Sequence, residues 1–161
     1  MEKFQESLLK ARKQHKVADH MIFITYKLVK DPKLLLSALK NIKSSMVNAT
    51  DSLLQYERLF KRIFAFPQNF TSKLLLLKNP CSRRYNLSQN YVFLMNELNT
   101  IIIEHERSSV EFARKDKFVI CSDNYRMKTI TINKIKEYLA LNKAFLEDVD
   151  KIVMKKNGIF K

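Results

Sequence analysis

Glycine is almost missing from this chain: Gly158 is the only one in 161 residues. Glycine supplies tight turns, phosphate-cradling loops and close backbone approaches, so most devices of that kind are excluded. Neither a dinucleotide fingerprint nor a Walker loop can be written in this sequence. Pro32, Pro67 and Pro80 are the only prolines, which leaves long stretches free to be helical. Cys81 and Cys121 are too few for a disulfide framework. No secretory hydrophobic segment precedes the first helical pattern, which points to a reducing cytoplasm. The Asn-x-Ser/Thr matches at Asn48, Asn69 and Asn86 then carry no weight. Apolar runs such as 74–77 and 101–103 are too short to span a bilayer, so no membrane span is expected.

Positive charge is what the chain has in excess. The formal net charge is +14, and such a surface attracts polyanions through long-range electrostatics. Nucleic acid or an anionic membrane is the partner class this implies. The bland alternative is a Lys-, Asn- and Ile-rich composition produced by AT-rich coding. The charge is spread along the chain, and no tail or short run concentrates it.

Helical periodicity organises most of the sequence. The spacing predicts a first helix from about 4 to 29, with Leu8, Ala11, His15, Ala18 and Ile22 on its apolar stripe. Asp31-Pro32 then signals a restart, Asp as cap and Pro at the first helical position. The second helix carries Leu35, Leu39, Ile42, Met46, Ala49, Leu53, Tyr56, Phe60 and Ile63 and is expected to end before Pro67. Two long helices on so short a link predict an antiparallel hairpin. Residues 67–86 read as one or two helical turns and a loop. A third long helix begins at Ser88, with Leu87 and Val92 as a hydrophobic staple, and fades near Arg114. The segment KFVICSDNYRMKTIT, 117–131, breaks the pattern and reads as a small β-hairpin or extended strap, with Asp123 and Asn124 at its turn. The last helix starts near Thr131 and buries Ile135, Phe145 and Val149. The expected architecture is a single all-α bundle over 1–161, built on a long helical hairpin and closed by the strap near 118–130.

The segments DHMIFITYKLVKDPKLLLSALKNI, LLQYERLFKRI and EFARKDKFVICSDNY resemble an uncharacterised family of small archaeal helical proteins. More distantly, two long antiparallel helices followed by others look like the HEPN helical bundles. Some members of that group are ribonucleases with an arginine and a histidine at a short set spacing. Arg12 makes that spacing with neither His15 nor His20, so the resemblance implies a fold and brings no catalytic residues with it.

Candidate chemistry is sparse. Glu104-His105-Glu106-Arg107 is the densest titratable cluster, yet His105 falls on the apolar stripe, where a histidine hydrogen-bonded within the bundle is the commoner outcome. No Glu-x-x-His pair, His-Glu-x-x-His motif or Cys-x-x-Cys pair is present, so no metal or cofactor is expected. Cys121 sits in an apolar run. Cys81 precedes Arg83 and Arg84, which would lower its pKa if exposed.

Two stretches have the mix that grips phosphate and stacks a base. They are Arg83, Arg84 and Tyr85, and then Tyr125, Arg126 and Lys128. The sequence therefore favours a non-enzymatic binding protein whose basic surface takes RNA or other nucleic acid. The alternatives are a protein-interaction or homodimerisation module and a HEPN-like ribonuclease or an inactive relative of one.

Overall fold

The computed structural model describes residues 1–108, 110–121 and 126–154. Its first long helical run is α1, Lys3–His20, continued through a wider π-helical turn at Met21–Thr25 into α2, Tyr26–Val29. The run ends at Lys30, which takes the left-handed conformation with φ 58°. Asp31 Oδ1 then accepts from the Lys33 N–H at 3.0 Å and Pro32 already has helical φ and ψ, starting α3, Lys33–Leu59. A series of cross-helix bonds fixes α3 antiparallel to α1. Ser52 donates to the Phe4 carbonyl, Ser45 to the Ala11 carbonyl and Asn48 to Gln14.

The rest is built on this pair. Short α4, Phe70–Leu76, is capped by Asn69, whose side chain accepts from the Ser72 N–H at 2.8 Å. The chain kinks at Asn79–Pro80, a cis peptide, before one turn of α5, Ser82–Tyr85. Ser88 caps α6, Gln89–Arg107, with Leu87 and Val92 both buried beside it. The final helix α7, Ile132–Val153, is capped by Thr131, packs on α1 and α3, and completes the core. No helix among the described residues is long and apolar enough to cross a membrane.

Three differences from the sequence reading stand out. The second long helix stops at Leu59 rather than running toward Pro67, because Lys61 turns left-handed with φ 57°. The segment expected as the tail of the third helix is strand β1, Val110–Arg114, since Ser108 goes extended and ends the helix at Arg107. The chain is thus predominantly helical but not all-α. The strap is part of a three-stranded antiparallel sheet of order β1-β2-β3, with β2 Lys117–Cys121 and β3 Met127–Thr131. A lone two-stranded hairpin is marginal in water, and a third strand packed on helices is what makes such a segment persist. Phe118, Val119 and Ile120 are all buried. The expected turn at Asp123 and Asn124 lies outside the described residues.

Leu35, Leu39, Ile42, Leu98, Ile101, Phe145 and Val149, the mid-stripe positions, all lie in the core. One polar network crosses it. Asn142, with no exposed surface, donates through Nδ2 to Ser45 Oγ and to His15 Nδ1, both at 3.0 Å, so one amide joins α7, α3 and α1. His15 accepts at Nδ1 and is therefore the neutral Nε2–H tautomer. Burial lowers its pKa below the ordinary 6.5; Asp19 opposes the shift and Lys143 adds to it.

Two predictions follow from this core. Leu98 has no exposed surface, and Leu98→Ala is expected to cost about 2–5 kcal/mol in chemical denaturation, the usual transfer and cavity penalty. An unchanged midpoint would show the α6 face to be wrongly assigned. For His15, the unfolded chain binds a proton that the folded one refuses. Stability should therefore fall as pH drops below 6.5, toward the lower folded value, and be unaffected by this group above it. Thermal melts of His15→Gln should lack that component of the pH dependence; equal slopes for both proteins would remove His15 from the account.

Candidate functional site

The two sequence-predicted patches meet different fates. Ser82–Tyr85 is a helical turn, and it points two of its three candidate side chains inward at Glu57. Glu57 has no exposed surface, although it is a carboxylate. Arg84 Nη1 bonds its Oε1, while the Tyr85 hydroxyl donates to Oε2 at 2.7 Å and Arg62 Nη1 donates to Oε2 at 3.1 Å. Arg62 also donates to the Tyr85 oxygen at 3.0 Å. A buried carboxylate needs this much pairing to stay in the interior. Burial, then the Glu57 hydrogen bond, raises the Tyr85 pKa. Arg84 and Tyr85 are therefore structural partners of Glu57. Arg83 is exposed and forms no ion pair among the described residues.

In the second patch, Arg126 is exposed just before β3, and Lys128 on β3 lies 3.9 Å from Glu97 of α6. Tyr125 lies outside the described residues. Lys128 is thus bound to the middle of α6, whereas Arg84 is tied to α3 near its C-terminal end.

The other titratable candidates are also accounted for by packing. His105 Nδ1 and Glu111 Oε2 of β1 are 2.6 Å apart, and the imidazole meets Phe118 edge-on. That contact fastens the sheet to the end of α6. Cys81 is buried, which pushes its thiol up to about 12, with Glu57 adding to the rise. Arg84 pulls the other way, but burial and Glu57 outweigh it, so the thiol is not activated. Among the described residues no three His, Cys, Asp or Glu side chains gather as a metal site would require.

A different group of residues converges instead. Between the end of the first helical run, the β1–β2 turn and the start of α7 lies a cleft of about 450 Å³. Lys27 and Lys30 of the helical run, Lys117 of β2 and Lys136 of α7 line it. Lys30 and Lys136 lie over the rings of Tyr26 and Phe23, at 5.8 and 5.3 Å from the centroids. None of the four is ion-paired among the described residues. One carboxylate shares the cleft: Asp116, which accepts from the Tyr26 hydroxyl at 2.8 Å. Sequence inspection missed this cleft because its lysines come from three distant segments. Only Lys27 and Lys30, one turn apart, gave any local signal.

No protein-family model, no curated protein and no solved structure matches the chain.

The Glu57 cluster makes a direct contrast between neighbours. Arg84→Ala should lower stability by about 1.5–3 kcal/mol, the range for a hydrogen bond to a charged group. Arg83→Ala should leave the denaturation midpoint where it is. Equal effects of the two substitutions would contradict the structural role assigned to Arg84.

Proposed function

We propose that this domain is a non-enzymatic nucleic-acid-binding protein, with RNA as the ligand, that grips the phosphate backbone through a lysine-rich surface. The carrying observation is where the two signs of charge go. Several carboxylates are drawn into contacts between elements: Glu57 with α5, Asp51 with Lys73 of α4, Asp148 with Tyr91 of α6, while others, Glu2, Glu6, Asp19, Asp31, Glu106, Glu137 and Glu147 among them, stay exposed. Many lysines are left facing solvent without an acidic partner among the described residues, including Lys10, Lys13 and Lys16 on α1 and Lys33 and Lys40 on α3. Neutralising phosphates with such side chains releases condensed counterions and drives binding without base recognition.

Single-stranded RNA suits the surface better than a duplex. Phe64 and Phe93 are exposed, at 91% and 67%. Exposed aromatic faces accept unpaired bases by stacking. Arg83 and Arg126 remain candidate contacts. Arg84 and Tyr85 enter the reading only as supports of the fold, since both are held by Glu57.

Titration of a labelled single-stranded RNA across a salt series tests the reading. The logarithm of the binding constant should fall linearly with the logarithm of salt, and each phosphate-contacting Lys→Gln should flatten the slope by about 1. Affinity no greater than that of an unrelated protein of equal net charge would reduce the positive charge to composition alone.

A further inference from the structure

We propose that the cleft formed by Lys27, Lys30, Lys117 and Lys136 is a discrete site for a multiply charged phosphate group, as carried by a nucleotide or by a phosphorylated nucleic-acid end. Among the described residues four lysines and one aspartate line the same cleft, so its lining carries a net excess of three positive charges. A monoanion would leave most of that excess in place; a phosphate monoester or pyrophosphate would offset it. Lysine acts as a point charge with three rotatable donors and suits phosphate oxygens approaching from several directions.

The start of α7 contributes little of the attraction. The Ile132 N–H donates to the Asp116 carbonyl and the Lys134 N–H to Thr131 Oγ1, so those amides are already used. The lysines carry the site, with the exposed Asn133 side chain as a further polar group on its wall. Among the described residues of the lining Asp116 is the repulsive element, and its bond to Tyr26 fixes its position. The volume, about 450 Å³, exceeds what one phosphate needs and falls in the range of small-ligand sites. This goes beyond backbone binding, in which scattered lysines take phosphodiesters singly.

The full chain would be titrated calorimetrically with pyrophosphate, and by anisotropy with one oligoribonucleotide carrying either a 5′-phosphate or a 5′-hydroxyl. The double variant Lys27→Gln/Lys117→Gln is compared with Lys10→Gln/Lys13→Gln. The two pairs remove equal charge, and the second lies about 20 Å or more from Lys27 along the helix axis. All four side chains are exposed and without ion pairs among the described residues, so circular dichroism should be unchanged in both variants. The cleft variant should lose at least about tenfold in pyrophosphate affinity, as expected for two charged contacts, and the control variant should not. A preference for the 5′-phosphorylated strand that disappears in the cleft variant identifies a nucleic-acid end as the source. Pyrophosphate binding without that preference identifies a free nucleotide or polyphosphate. Absence of pyrophosphate binding, or equal weakening by both pairs, overturns the site. Either result leaves backbone binding to be judged on the salt series, and loss of oligonucleotide binding with pyrophosphate binding intact counts against the backbone reading alone.

Discussion

Two serine hydroxyls set how closely the long helices approach. Ser45 Oγ donates to the Ala11 carbonyl at 2.7 Å and Ser52 Oγ to the Phe4 carbonyl at 2.6 Å. A hydroxyl one carbon from its own backbone reaches another helix's main chain only when the two backbones nearly touch. Ala11, Ala18, Ala38 and Ala49, none with exposed surface, fill the rest of that seam. A larger residue here would force the helices apart, and overpacking is as costly as a cavity. Most other elements are then fastened to α3. Asn142 of α7 bonds Ser45, Thr50 Oγ1 lies 3.5 Å from Met95 Sδ of α6, Lys73 of α4 bonds Asp51, and α5 bonds Glu57.

The scarcity of glycine is a second constraint, and it reaches the cleft. Lys30, Lys61, Asn86 and Asp116 all adopt positive φ, which costs a residue with a Cβ about 1–2 kcal/mol, least for Asn and Asp. Asp116 repays this with two long-range bonds. Its carboxylate accepts from Tyr26, and its carbonyl accepts from the first amide of α7. One residue in the β1–β2 turn therefore pins the sheet to the end of the first helical run and to the start of the last helix. Lys30, the second left-handed residue at this end, lines the same space. The interruption between the third and last long helices thus closes the core with Phe118 and Ile120 and also builds a wall of the cleft.

The long helices were legible because their apolar stripes hold period over many turns, and the Asp31-Pro32, Ser88 and Thr131 signals are local chemistry. β1 was not legible. Glu111, Ala113 and Arg114 suit a helix, and only pairing with β2 decides otherwise, which is a tertiary effect that local propensity cannot carry. The marginal stability of a two-stranded hairpin implied only that the strap must lie against the helices. Glu57 gives no signal of its own in the sequence. Its partners Arg62, Arg84 and Tyr85 stand 5, 27 and 28 residues away, and no local pattern announces a buried carboxylate. The candidate site failed to show for the same reason: a basic motif in one loop is visible, and four lysines brought together from three segments are not.

The two signs of charge answer to different constraints. Carboxylates such as Glu57, Asp116, Asp148 and Glu111 tie one element to another, and removing any of them strands a partner group. A solvent-facing lysine without a partner is replaceable at little structural cost. Coding bias alone would scatter such lysines wherever solvation permits and would not gather four of them around one cleft. Like charges brought into one concave space repel one another, and low-dielectric walls concentrate their field instead of dispersing it. Tyr26 and Asp116 could close the joint between sheet and helices without Lys27, Lys30, Lys117 or Lys136. The fold gains nothing from that repulsion, whereas a polyanion bound there, as proposed, would convert it into affinity.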